Sequence, residues 1–171
     1  MRTIHAADQL RYGWDDDSEP VRDGAVAVEA DRVVGTGTLA EVQGLFPDAR
    51  VRRWPGVLGP ALLHQGPLPD APTARERIHA VLKLGATAVL EVHADTPELR
   101  SAAARNDVIV VPRGAPDHRW PDITGTGGGG GVGGSSGGGV GGTGRADLAV
   151  FDVTGACIAT VCAGRLVHRR R

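Results

Sequence analysis

The chain has 171 residues, of which 26 are glycine, and 14 of these glycines lie between positions 125 and 144. Hydrophobic residues make up 41% and charged residues 23%, which is typical of a globular protein. The net charge of −1 argues against a dedicated nucleic-acid or membrane-surface protein, since both need a basic excess. No apolar run approaches the ~20 residues of a membrane-spanning helix, and the first residues lack the apolar stretch of a signal peptide. We therefore expect a cytoplasmic protein with no nucleic-acid or membrane partner.

Short strands and one helix are predicted in the first third of the chain. Ala25–Glu29 and Arg32–Thr36 are rich in valine, and the two residues between them favour a hairpin turn. Thr38 with Glu41 forms the T-x-x-E pattern of a capping box, which predicts the start of a helix. After this helix, Arg50–Trp54 is expected to be another strand.

The middle of the chain alternates strands with helices. Two apolar runs are expected to be strands, Thr87–Val92 and Val108–Val111. A third, Val57–Leu63, is expected to be one strand or the lead into one. A second capping box, Thr73 with Glu76, starts one helix that ends before Gly85, and Thr96-Pro97 starts another. This alternation predicts parallel strands joined by right-handed crossovers.

A loop and the glycine tract occupy residues 113–144. Because glycine-rich chains behave as coils, we interpret the tract as a flexible linker and not as a phosphate-binding loop. Three further strands are expected beyond it: Asp147–Asp152, Ala156–Cys162 and Arg165–His168. The chain thus has β-rich ends and an α/β middle.

The two β-rich ends resemble the corresponding ends of enzymes of the amidohydrolase superfamily. The resemblance rests on VRDGAVAV (21–28), DRVVG (31–35) and ARVRRWPG (49–56), and on GRADLAVFD (144–152) and VCAGRLV (161–167). Within the superfamily, the chain is most similar to the imidazolonepropionase and aminodeoxyfutalosine deaminase-like group. In these enzymes both chain ends meet in one small β-sandwich, the composite domain, beside a metal-bearing (β/α)₈ barrel.

The resemblance implies an α+β fold in three parts. Residues 1–58 and 145–171 would form the composite β-sandwich, residues 59–112 a truncated β-α-β-α-β remnant of the barrel, and residues 113–144 the loop and linker. A (β/α)₈ barrel takes at least ~200 residues. Only 86 residues lie between positions 59 and 144, and 54 of these precede the loop. A closed eight-stranded barrel is therefore excluded in this segment.

The family's metal site begins with a His-x-His pair after the first barrel strand, and the resemblance places Gly66 and Leu68 at these two positions. Neither side chain has a metal-binding atom. The later ligands of the family include a bridging lysine, and the chain's one lysine, Lys83, lies in a predicted helix. We therefore expect no catalytic residue of the family type and no cofactor.

A metal site could still be assembled from other residues. His93 and Asp95 follow a predicted parallel strand, on which residues two apart share a face, and His64 ends the neighbouring strand. Barrel active sites form at this edge, and zinc needs at least three converging ligands. His64, His93 and Asp95 are thus the candidate ligands of a zinc ion. The other histidines are expected to be solvated: His5, His79, His118 and His168.

We expect an imidazolonepropionase-like composite-domain protein, a pseudoenzyme that acts in binding or assembly. The open edges of a three-stranded remnant favour a homodimer or a protein partner that covers them. The alternative is a residual metal-dependent hydrolase of non-peptide C–N bonds, of cyclic amidine, cyclic amide or deaminase type. A decayed reading frame is a third interpretation, against which the intact capping boxes argue. Cys157 and Cys162 lie in an apolar strand, so buried thiols are expected and not nucleophiles.

Overall fold

The computed structural model describes residues 1–15, 17–115 and 144–171. The predictions for His118 and for the glycine-rich linker therefore lie outside the described residues. The strands are β1 (Arg2–Leu10), β2 (Val21–Glu29), β3 (Arg32–Thr38), β4 (Arg50–Pro60), β5 (Leu62–His64), β6 (Ala86–Leu90), β7 (Ile109–Val111), β8 (Leu148–Phe151), β9 (Cys157–Cys162) and β10 (Arg165–Arg169). The helices are α1 (Leu39–Leu45), α2 (Ala74–Lys83) and α3 (Pro97–Arg105). None of these helices is long and apolar enough to cross a membrane. The predicted α+β class is confirmed.

Strands from both ends of the chain form one seven-stranded sheet with the order β10-β9-β8-β4-β1-β2-β3. The two ends join where β4 pairs antiparallel with β8, with Leu58 opposite Val150. Strand β1 is parallel to β4 on one side and antiparallel to β2 on the other. The sequence pattern does not predict β1, because a bulge between Ala7 and Gln9 interrupts its alternation.

The large sheet folds over its own apolar face, as the two layers of a sandwich do. The Ala146 N–H donates to Asp31 O over 2.7 Å, and the Val33 N–H donates to Gly144 O over 2.6 Å. The predicted β2–β3 hairpin therefore lies against the segment that leads into β8. The core between the layers contains Ala7, Leu10, Val26, Val28, Trp54, Leu58, Ala146, Leu148, Val150, Ala159 and Val161.

Helix α1 covers the outer face of β1 and β2. It begins at the predicted capping box, in which the Glu41 N–H donates to Thr38 Oγ1 over 3.3 Å and the Thr38 N–H donates to the Glu41 carboxylate over 2.9 Å. A second apolar cluster lies beneath the helix and contains Leu39, Val42, Ile4, Ala6, Ala25 and Ala27. The side chains of β1 therefore alternate between this cluster and the sandwich core.

The middle of the chain forms a parallel sheet with the order β5-β6-β7, as the strand–helix alternation predicts. Helices α2 and α3 pack on one face and bury Ile78, Val81, Leu82, Leu99, Ala102 and Ala103. Helix α2 begins at the predicted capping box of Thr73 and Glu76, and Gly85 after its end has a φ of +87°. This α/β unit packs on β9, where Thr160 Oγ1 donates to Leu82 O over 2.7 Å.

Of the two interpretations of the run Val57–Leu63, the single strand is wrong, because the run contains the end of β4 and the start of β5. Ala61 divides the run, because the residues before it complete β4 and those after it form β5. The Ala61 N–H donates to Asp147 O over 3.0 Å, whereas the Leu62 N–H donates to Gly85 O over 2.8 Å. The chain thus passes from one sheet to the other at a single residue, and no polar residue in the run marks the transition.

Candidate functional site

The carboxyl edge of the parallel sheet is the position at which barrel enzymes place their active sites. Strand β5 ends there at His64, β6 at Leu90 and β7 at Val111. Both β5 and β7 are edge strands, since β6 lies between them. The candidate ligands His64, His93 and Asp95 all lie in the segments that end or follow β5 and β6.

His64 is half-buried and hydrogen-bonded within its own loop. Its Nε2 lies 2.9 Å from Pro67 O. Because a carbonyl oxygen only accepts, Nε2 carries the hydrogen in this contact, and Nδ1 is the nitrogen with a free lone pair when the ring is neutral. The imidazole is therefore oriented by the loop that follows β5.

His93 and Asp95 are not on a strand. The predicted strand Thr87–Val92 ends at Leu90, and residues 91–93 form a single 3₁₀ turn. The turn arises because the chain bends toward α3, where Ala94 is fully buried and its carbonyl accepts from Arg100 Nε over 3.0 Å. The prediction that His93 and Asp95 share a strand face is therefore wrong, and Asp95 is exposed.

The residues at this edge do not fit the metal centre that the family resemblance implies. Leu68, which takes the place of the second histidine of the pair, is 4% exposed and packs in the core of α2 and α3. Gly66, to which the resemblance gives the place of the first histidine, has no side chain, and a Cβ there would meet nothing within 4 Å. In the described ranges there is no group of three or more His, Cys, Asp or Glu residues that could hold a metal ion, and His64, His93 and Asp95 do not form one.

A second group of polar and aromatic side chains surrounds Trp54 in the large sheet, and we call it the Trp54 cluster: His5, Arg52, Trp54 and Arg169. Trp54 Nε1–H donates to His5 Nδ1 over 3.2 Å, and the two rings are nearly parallel, with centroids 6.2 Å apart. The Arg169 guanidinium carbon lies 5.7 Å from the centre of the Trp54 ring, which is a cation–π contact. Arg52 is the residue opposite His5 in the parallel β1–β4 pair.

The prediction that His5 is solvated is wrong, because His5 is only 3% exposed. Burial, together with the smaller effect of the nearby Arg52 charge, lowers the pKa of His5 to about 4. The ring is therefore neutral at pH 7 and accepts at Nδ1. One signal in the sequence indicates this cluster: Arg50, Arg52 and Trp54 alternate along a strand and so share one face. Their partners on β1 and β10 are too distant in sequence to be found from a pattern.

The two cysteines do not provide a nucleophile. Cys162 is buried as predicted, whereas Cys157 is half-buried, and both thiols are free. Burial, together with the smaller effect of the Asp147 carboxylate, raises the pKa of Cys162 to about 12, and burial raises the pKa of Cys157. A thiol needs its thiolate form for attack, so both side chains are packing groups at neutral pH.

Comparisons with known proteins give similarity at the level of structure only. No protein-family model matches the chain, and no curated protein matches it. The chain is similar to Aspergillus niger ochratoxinase, with 20% identity over 67% of this chain and 32% of that chain and a TM-score of 0.48. Escherichia coli guanine deaminase has 16% identity over 66% of this chain and 35% of that chain, with a TM-score of 0.49. Helicobacter pylori aminofutalosine deaminase has 16% identity over 56% of this chain and 30% of that chain, with a TM-score of 0.42. The chain thus spans about one third of the length of these proteins.

Proposed function

We propose that this chain is an amidohydrolase-like composite-domain protein that acts by binding or assembly and does not hydrolyse by the family's metal route. The end segments that resemble the family lie in β2, β3, β4, β8, β9 and β10, and all of these strands belong to one sheet. This arrangement supports the composite-domain assignment, since the resemblance implies that both chain ends meet in one sandwich.

The packing of Leu68 is the observation that carries the non-catalytic part of the proposal. Its side chain belongs to the same apolar cluster as Ile78 and Leu99. A metal ligand at this position would have to face the carboxyl edge of the sheet, whereas this side chain faces the helices. The local structure is therefore adapted to packing α2 against the sheet and not to coordinating an ion.

The edges of the parallel sheet support the assembly part of the proposal. Along β5 and β7 the outer side has no paired strand among the described residues, so each strand presents backbone N–H and C=O groups to a partner. Leu63 and Leu90, on the face away from α2 and α3, are each 9% exposed. A second copy of the chain, paired edge to edge, would satisfy these backbone groups.

Light scattering after gel filtration tests the assembly directly. We expect a mass of twice the 17.7 kDa monomer, with slower amide hydrogen exchange in β5 and β7 as the protein concentration rises. The amides of β1, which has partners on both sides, are the internal control and should not change. A monomer at every concentration that also binds no hydrophobic dye would refute assembly through these edges.

The alternative function is a metal-dependent hydrolase of non-peptide C–N bonds. One observation favours it: His64 ends a parallel strand, and its Nδ1 has a free lone pair when the ring is neutral. His93 and Asp95 would have to move toward His64 to complete the site. Hydrolysis of a cyclic amidine or release of ammonia from an aminopurine, abolished by His64→Ala but not by His79→Ala, would support this alternative.

A further inference from the structure

Among the arginines of β1, β4 and β10, three have no acidic partner in the described part of the chain: Arg50, Arg52 and Arg169. The other arginines of β1 and β4 are different. Arg2 pairs with Glu29 over 3.1 Å, and Arg53 pairs with Asp23 over 3.5 Å. Strands β4 and β10 therefore have a local excess of positive charge, since both contain arginines and neither contains an acidic residue.

The nearest acids of β2 are on the other face of the sheet. Arg2 lies over the Phe46 ring, and Phe46 packs against the cluster beneath α1, so the Arg2–Glu29 pair is on the α1 side. Arg53 alternates with Arg52 and Trp54 along β4 and so points away from the sandwich interior. Neither Glu29 nor Asp23 can neutralise Arg52 without crossing the sheet.

Arg52 and Arg169 both border Trp54. Arg169 contacts the ring directly, and Arg52 is two residues before Trp54 on the same face of β4. The Nε of Arg52 is buried and has no hydrogen-bond partner among the described residues. A buried donor without an acceptor destabilises a fold, so stability alone does not explain an arginine at this position.

His5 and Trp54 form the base on which the two guanidinium groups lie. The hydrogen bond between Trp54 and His5 fixes the indole ring, and both residues are buried. The cluster is therefore preorganised, apart from the exposed end of Arg169. Two guanidinium groups on a rigid, partly apolar base are well suited to a small anion with several oxygens.

We propose that Arg52 and Arg169 bind a tetrahedral oxyanion, a phosphate group, beside Trp54. The phosphate oxygens accept from the terminal nitrogens of both guanidinium groups, and Arg50 adds long-range attraction from the next position on the same face. The site lies in the sandwich and not at the carboxyl edge of the parallel sheet. It is therefore independent of the proposed assembly and of the metal alternative.

Isothermal titration calorimetry of the full chain with inorganic phosphate, at pH 7 and constant ionic strength, tests the site. We expect saturable binding of one phosphate per chain, weakened about tenfold by Arg52→Gln and by Arg169→Gln, because each loses a charge-assisted hydrogen bond. Arg113→Gln is the matched control. Arg113 is an exposed arginine that follows β7 in the parallel sheet, whereas the Trp54 cluster belongs to the large sheet, so its replacement removes the same charge and should leave binding unchanged.

Two results would overturn the proposal: no saturable heat with the wild-type chain, or a loss of affinity in Arg113→Gln as large as that in Arg52→Gln. The exposed Arg169 can be replaced without disturbing the core, so Arg169→Gln keeps the test valid if Arg52→Gln does not fold. A second titration with methyl phosphate identifies the source of the group. Tighter binding than inorganic phosphate indicates a phosphomonoester ligand, and weaker binding indicates free phosphate.

Discussion

The closure of the sandwich depends on one glycine in the β9–β10 turn, and replacing it gives a quantitative test of the fold. Gly164 has a φ of +77°, and a Cβ at this position would lie 1.8 Å from Ala30 O and 2.9 Å from Ala30 C. Its N–H donates to Ala146 O over 2.9 Å. Gly164→Ala must therefore separate the β9–β10 turn from the β2–β3 turn, and the two turns hold the edges of the large sheet together.

Gly155 provides the matched control for this substitution. It lies in the β8–β9 turn with a φ of +81°, and a Cβ there would meet nothing within 4 Å. Gly155→Ala thus measures the cost of an alanine in the left-handed region alone, which is about 1–2 kcal/mol. Gly164→Ala adds the loss of one or two hydrogen bonds between the turns, so we expect about 3–4 kcal/mol.

Urea denaturation followed by circular dichroism measures both losses. A domain of this size has a free energy of unfolding of roughly 5–15 kcal/mol, so both variants should remain folded without urea. We expect Gly164→Ala to be less stable than Gly155→Ala by about 2 kcal/mol. Equal stabilities within about 0.5 kcal/mol would refute the contact between the two turns.

Two further perturbations test the interior. Thr160→Val removes the donor to Leu82 O and should lower the free energy of unfolding by about 1–2 kcal/mol. Thr87→Val removes a buried hydroxyl that has no hydrogen-bond partner among residues 1–15, 17–115 and 144–171, and it should not lower this free energy. The opposite order in urea denaturation would contradict the assigned contacts. The pKa of His5 falls from 6.5 in the unfolded chain to about 4 in the folded one, so the unfolded state binds the proton first as the pH falls. The free energy of unfolding that depends on His5 should be fully present above pH 6.5 and should fall by up to about 3 kcal/mol as the pH is lowered to 4. His5→Gln should reduce this decline, whereas His79→Gln should leave it unchanged. If the free energy of unfolding depends on pH equally in the two variants, His5 is not a buried neutral histidine.

Local signals in the sequence predict much of the fold. Each T-x-x-E pattern forms a capping box, at Thr38 and at Thr73, because the contacts involved span only three residues. Gly85 has the positive φ expected after a helix. The parallel order of the small sheet follows from strand–helix alternation, which is a property of neighbouring segments.

Features that depend on distant contacts are not predicted. The break at Ala61 depends on Asp147, which is far away in the chain. The burial of His5 depends on Trp54 and on the layer contributed by β10, so an isolated histidine is wrongly interpreted as solvated. The strand after Thr87 ends early because burial of Ala94 redirects the chain, and this changes the geometry of the predicted metal ligands.

The most direct test of the proposed function is the zinc content of the purified chain. The protein is produced with added zinc, desalted, and measured by mass spectrometry as the wild type and as the His64→Ala and His93→Ala variants. Because Leu68 packs in the core in place of a ligand, we predict far less than one zinc ion per wild-type chain, with no change in either variant. One zinc ion per wild-type chain that is lost in both variants would contradict the proposal and favour the hydrolase.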